Sequence, residues 1–431
     1  MAFTTPVSTS VDGTNDGIVS GGTQNISSGG ILTSATIGSG GHQNISSGGL
    51  TIGNILNGGG TQTLYDSGVA SGTTISAQGF QYVSGGGTAF DTTIFGNGMN
   101  GGQYISSGGI ASGTTVSSGG RQFVGLGGVA YDTTLSSDGA QYVSAGGIAS
   151  ATTVSSSGYQ RVESGGIASA TTVYSGGELA VSGGSSVNVT QETGGVVSGH
   201  VGISGALLET YISGTNASGQ TFTLISGVAS NFILYDGSHY VSDGGSANNT
   251  TISSGYQIVF SGGTANATTI SGGYQEVSSG GTANATTISG GYQEVFSGGT
   301  ANATSVFSGG ILSAAHSTAT VGGSSFVADG GRIDGDAFTL ASGGSLTIER
   351  NGSESQSTRF LGDGALIKTG SGTLTLTGIN TYTGGTTVEA GTLAVTSGSI
   401  GSTSGNIANS SFLTIKDSGA VTADGAYTQT G

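Results

Sequence analysis

Cysteine is absent from the 431 residues, which excludes disulfides, thiolate metal sites and thiol nucleophiles. Proline occurs once, so a collagen-like rod, which also needs glycine at every third position, is ruled out. Basic residues are scarce: Arg121, Arg161, Arg332, Arg350, Arg359, Lys368 and Lys416 are the whole set, against 23 carboxylates, and the formal charge is −16. Nucleic-acid binding needs a cationic patch that displaces counterions from phosphates, and these residues cannot assemble one. The acidic balance is diluted along the chain and reads as solubility of an extended surface. Nowhere do eighteen apolar residues run together, which excludes a membrane-spanning helix. Residues 1–13, MAFTTPVSTSVDG, lack the basic and apolar regions of a signal peptide.

What the chain does have is glycine, 89 residues of it, with 34 % hydrophobic and only 7 % charged residues. Val, Ile and Thr recur throughout, enough to fill a thin core but not several thick ones. They recur on a period. Gln24, Gln43, Gln62 and Gln81 are 19 residues apart; after one longer step, Gln103, Gln122, Gln141 and Gln160 continue at 19; His239, Gln257, Gln275 and Gln293 fall 18 apart. The cleanest unit, SGGYQEVSSGGTANATTI at 271–288, is followed by a near copy at 289–306. Internal repetition of this kind marks a solenoid.

Each unit holds three short alternating pieces: Q-x-V (Gln275-Glu276-Val277), G-x-A (Gly281-Thr282-Ala283) and T-T-[IVL] (Thr268-Thr269-Ile270). Period-two alternation of β-branched residues is a strand pattern, and the intervening S-G-G supplies turns. Three strands and three turns predict an all-β fold: a right-handed, single-stranded parallel β-helix, a triangular solenoid with 18–19 residues per coil. With Val277 and Ile288 inward, alternation turns Gln275 and Thr286 inward and Tyr274, Glu276 and Thr287 outward. An inward Gln column can form an amide ladder, which a buried amide needs for satisfaction. A calcium-binding roll is excluded because Asp does not recur in a G-G-x-G-x-D frame, and a leucine-rich repeat because its Leu ladder is missing. Residues 182–235 break the period and read as irregular coils of the same helix. After 310 the spacing and charge change again.

The unit SGG-x-Q-x-V-x-SGG-x-A-x-x-T-T-[IV], clearest at 271–306 and degenerate over about 18–310, resembles the repeat of the AIDA/antigen 43 family of autotransporter adhesins. The segment 362–395, GDGALIKTGSGTLTLTGINTYTGGTTVEAGTLAV, resembles the autotransporter-associated β-strand repeat of passenger domains. The expected organisation is a lead-in at 1–17, a repeat helix at 18–310 and a continuation at 311–431. The resemblance implies a passenger carried to the surface of a Gram-negative cell, or secreted, that mediates autoaggregation, biofilm formation and attachment. Its implied partners are like molecules, host-cell or extracellular-matrix surfaces, and glycans. Some members carry heptose on Ser and Thr of these repeats, which makes the outward Thr269 and Thr287 candidates. The family pattern of a signal peptide and a membrane barrel is missing from the chain as given, which leaves a passenger fragment, a truncated product or another exporter.

β-Helices also include polysaccharide lyases and hydrolases, which makes a carbohydrate-active enzyme the competing reading. Up to residue 331 only Arg121 and Arg161 are cationic, and both read as solvated. Glu276 and Glu294 share a column one coil apart, but repeat duplication explains them without catalysis. His42 and His239 fall beside or in the Gln column and read as ladder substitutes. The N-x-[ST] triplets at Asn266, Asn284 and Asn302 read as turn residues, since Asn tolerates left-handed geometry. A T-T-I element exposes one Thr where an ice-binding array has two. No catalytic residue, cofactor or metal site is expected. The column Tyr256, Tyr274 and Tyr292 is a candidate contact surface for sugars or another molecule.

Overall fold

The computed structural model describes residues 18–396 except 20, 97–100, 202–210, 217, 219, 226 and 236–237, together with 407–409, 412–416 and 427–429. Among the described residues every regular element is a β-strand. The chain is a parallel β-solenoid in two compact units, Met1–His200 with Ala206–Ser226, and Val201–Gly205 with Gly227–Gly431.

One coil of the first unit shows how the fold follows from the repeat. Strands Arg121–Val124, Val129–Tyr131 and Thr134–Leu135 form its three sides, called here the Q, A and T strands. Each pairs in parallel with its equivalent one coil later, Gln122 with Gln141, Ala130 with Ala149 and Thr134 with Thr153. Alternation turns Gln122, Val124, Ala130, Thr133 and Leu135 inward, where all are buried. Arg121, Phe123, Val129, Tyr131 and Thr134 keep contact with solvent. The register survives the longer step, because Gln81 still pairs with Gln103. The extra residues lie between the T strand Thr93–Ile94 and the Q strand Gly102–Ile105.

The buried glutamines form the expected ladder, and threonine completes it. Gln141 Nε2 donates to Gln122 Oε1 at 2.6 Å and to Thr133 Oγ1 at 3.2 Å. Its Oε1 accepts from Gln160 Nε2 at 2.7 Å and from Thr152 Oγ1 at 3.3 Å. Two donors and two lone pairs are thereby all used, the full capacity of an amide. From Gln43 to Gln160 each amide donates to the coil before it, beginning with Gln24, at 2.6–2.8 Å. In the second unit the column runs through Gln257, Gln275 and Gln293 with the same polarity, at 2.7 Å. Leu179 and Leu312 follow Gln160 and Gln293 in register.

The two glycines of a turn answer different demands. Gly127 has φ 71°, left-handed backbone. The φ of Gly128 is ordinary, but a Cβ there would sit 2.3 Å from the carbonyl oxygen of Ile105 in the coil beneath. Packing of coil on coil therefore dictates the second glycine. A further left-handed position follows the A strand, and in the second unit it is filled by Asn231 and Asn249 and then by alanine: Ala267, Ala285 and Ala303, with φ 54°, 53° and 51°. This corrects the turn reading of Asn266, Asn284 and Asn302. They are strand residues whose amides bond one another up the outer face at 2.9 and 3.0 Å. The ladder outcompetes the local preference of Asn for left-handed backbone.

The irregular stretch contains an antiparallel hairpin, Tyr211–Thr215 with Thr221–Ile225. Asn216 Oδ1 nucleates its turn by accepting from the backbone N–H groups of Ser218 and Gln220 at 3.0 and 2.9 Å. Five-residue strands joined this way satisfy each other's backbone. Beyond 306 the second unit changes core chemistry. Strands lengthen, as in Arg332–Leu340, and Phe338, Leu346, Phe360, Leu366 and Leu374 replace the amides inside.

Two expectations follow. Gln141→Leu leaves amide groups of Gln122 and Gln160 short of partners and should cost about 2–5 kcal/mol in urea unfolding; a cost under about 0.5 kcal/mol contradicts a working ladder. Ala285→Gly relieves left-handed alanine and should stabilise by about 0.5–1 kcal/mol, whereas Gly128→Ala should destabilise by more than about 2 kcal/mol in the same measurement.

Candidate functional site

The outer faces carry the residues singled out for contact. Thr251, Thr269, Thr287 and Ser305 lie in register, one per coil, each reaching solvent. The same column in the first unit holds Thr93, Thr115, Thr134, Thr153 and Thr172. Successive parallel strands lie about 4.8 Å apart, so each unit presents hydroxyls at that repeat along its T face.

Tyr256, Tyr274 and Tyr292 also stack in register, on the Q strands. Their ring centroids lie 5.9 and 6.1 Å apart, the first pair tilted and the second stacked, and Tyr256 is the most open. The carboxylates of Glu276 and Glu294 share the strands. Tyr274 donates its hydroxyl hydrogen bond to Glu294, and Ser278 donates to Glu276 at 2.8 Å. Burial pushes the Tyr274 phenol well above its ordinary value, and the bond to Glu294 adds to this. Tyr274 therefore remains a donor at any physiological pH. In the first unit a longer aromatic file runs through Tyr82, Tyr104, Phe123 and Tyr142, with centroids 5.3, 4.7 and 5.2 Å apart and interplanar angles of 26°, 12° and 13°. Rings stacked so closely cover one another's faces, which leaves mainly edges to a partner.

His239 stands in the ladder as expected, buried, with its Nδ1 3.3 Å from Gln257 Nε2. His42 does not: it is exposed, one residue before the inward Gln43, because alternation turns neighbouring positions to opposite faces. Arg161 lies outward and pairs with Glu163 at 3.3 Å. Among the described residues no three His, Asp or Glu side chains converge as a metal site would require.

Sequence reasoning passed over three buried groups in the second unit. Lys368 is fully buried, its Nζ donating to the carbonyls of Thr369, Gly370 and Ala390 at 2.5, 2.8 and 3.2 Å. Burial, and then the nearby Arg350, lowers its pKa. Arg350 donates to the carbonyls of Ala328 and Gly331 at 3.0 Å each and pairs with Glu354. Tyr382 is wholly buried against Thr386 at 2.5 Å. Alternation carried the signal for both cations: Arg350 follows the inward Leu346 and Ile348, and Lys368 the inward Leu366.

Burial pushes the Tyr382 hydroxyl up to about 12, from an unfolded value of about 10. Its contribution to stability is complete below pH about 10 and disappears as pH climbs through the folded value. Between pH 9 and 12 the wild type should lose about 2–3 kcal/mol more than Tyr382→Phe in urea melts. Parallel pH profiles for the two proteins refute this.

Residues 95–158 and 213–273 match the family described as adhesin of bacterial autotransporter system, probable stalk. Residues 366–395 match the passenger-associated-transport-repeat. Among solved structures the chain is similar to a TibC-catalyzed hyper-glycosylated TibA fragment, at 33 % identity over 73 % of this chain and 92 % of that one, with a TM-score of 0.32. No curated protein matches. Over these segments the chain carries the stalk repeats of bacterial autotransporter adhesins, with the passenger-associated-transport-repeat behind them.

Proposed function

We propose that this passenger acts by adhesion without catalysis: it holds like molecules together, supports biofilm formation and attaches a Gram-negative cell to host or matrix surfaces. The observation that carries the proposal is the repetition of uncharged outward columns on the A and T strands, one group per coil, on a scaffold whose buried glutamines are taken up in the ladder. A surface of that kind gains affinity from the number of weak contacts made at once. The carboxylates of Glu276 and Glu294 fit this reading, since each is engaged by a neighbouring hydroxyl and the pair repeats with the coil.

Thr269 and Thr287 are the proposed sites for an attached sugar, a reading supported by their outward register and by the hyper-glycosylated state of the TibA fragment. Tyr256, Tyr274 and Tyr292 are proposed as a contact edge beside them. Cells displaying the folded chain should clump and settle faster than cells without it, and should be retained on abiotic or host-cell surfaces. Displayed, folded protein that leaves cells dispersed and non-adherent defeats the proposal.

A further inference from the structure

The A face of the first unit carries an apolar strip that the fold does not require. Its first outward column runs Ile31, Leu50, Val69, Thr88, Ile110, Val129, Ile148 and Ile167, each in register with the next. Ile31, Ile110, Ile148 and Ile167 are 45, 38, 40 and 45 % exposed. The second outward column adds Ile52, Phe90 and Tyr131, all exposed, among Thr33, Ser71, Ser112, Ser150 and Ser169. None of these sixteen side chains is an Asp, Glu, Lys, Arg or His.

The second unit is the internal control. The same two columns there start from an exposed Val228 and from Ser230, and then hold Ser246, Thr264, Thr282 and Thr300, and Asn248, Asn266, Asn284 and Asn302. The inward side is unchanged, with Ala247, Ala265, Ala283 and Ala301 fully buried. One backbone and one inner lining thus accept hydroxyls and amides outside just as well. The aliphatic residues of the first unit are not a folding requirement, and exposed aliphatic residues aligned on a flat face mark an interaction surface.

We propose that this strip is where a second copy of the chain docks, strip against strip, a proposal that rests on the self-association reading above. Charge selects the occupant. A copy of a chain with formal charge −16 is repelled by its like, and close approach is least costly where neither partner buries a charge. The A face of each copy offers the other that neutral surface. Periodicity selects it too, because two strips with the same spacing of about 4.8 Å can interdigitate over their whole length. Eight strands span about 34 Å, and two outward residues per strand span about 7 Å. The contact therefore buries on the order of 500 Å² in total, below the 1,200–2,000 Å² or so of a stable complex. A single pair is weak, and many pairs between crowded cell surfaces are strong through effective concentration.

The absence of cysteine makes the test direct. Ser150→Cys places one thiol on the strip, and Thr134→Cys places one on the T face of the coil before it. On mild oxidation of the concentrated full chain, the first should form disulfide-linked dimers under conditions that leave the second monomeric. Adding Ile110→Glu and Ile148→Glu to the Ser150→Cys chain should abolish the dimers while circular dichroism stays unchanged. Equal cross-linking from both faces, or dimers that survive the glutamates in a folded chain, overturns the proposal. So does flotation of the wild type with neutral phosphatidylcholine vesicles, lost in the glutamate variant, without cross-linked dimers, since the occupant is then a lipid surface. Settling of displaying cells separates the two readings. Wild-type cells that clump while Ile110→Glu/Ile148→Glu cells clump equally sink the strip and leave self-association standing, whereas wild-type cells that never clump sink self-association itself.

Discussion

Everything in the repeat region depends on a glutamine amide with no bond left to make. Buried away from water, an amide short of a partner costs a few kcal/mol, and a thin core of Val, Ala and Ile has little surplus to absorb that cost. The coils therefore stack at the one separation and one rotation that bring Nε2 of each Gln to Oε1 of the Gln before it and to a Thr hydroxyl. Apolar residues alone tolerate a sliding register, and directional bonds do not. The ladder acts as a ruler along the axis, and the straight outer columns of Thr, Asn and aromatic rings inherit their alignment from it.

The two core chemistries divide the labour. Where coils are 18 or 19 residues long, strands are short and the interior narrow, so the A strand inserts mostly alanine, after Leu32 and Thr51 in the first coils, and polar networks hold the register. Past 306 the strands lengthen, and aromatic and aliphatic side chains such as Phe338, Phe360 and Leu374 fill a wider interior. Buried cations then take over the polar role: Lys368 and Arg350 bind turn carbonyls of neighbouring coils together. In both regions polar atoms fix coil against coil, through amide acceptors in one and backbone carbonyls in the other.

Much of this was legible before any coordinate. Gln275, Thr286, Val277 and Ile288 could be turned inward, and Tyr274 and Thr287 outward, from alternation alone, because a strand has only two faces. Failures came where a competing interaction lay outside the local pattern. Asn266 has the propensity for a left-handed turn, yet Asn248 beneath it and Asn284 above it offer amides to pair with, and Ala267 makes the turn instead. The hairpin at 211–225 was opaque because pairing with a sequence neighbour and pairing with the next coil look alike in a short apolar alternation. Charge obscured Lys368: its position reads inward, but an ammonium inside a solenoid makes sense only once the carbonyls around it are seen.

The upper and lower surfaces of a coil are chemically complementary, acceptor meeting donor at Gln and hydroxyl meeting amide at Thr. Residues 271–288 and 289–306, nearly identical in sequence, show what this permits. A duplication or loss of one whole unit by unequal recombination returns every ladder bond intact, while an insertion of a few residues is absorbed only at a corner, as in the step between Gln81 and Gln103. The number of coils is thus a quantity that inheritance can change in single steps without refolding anything.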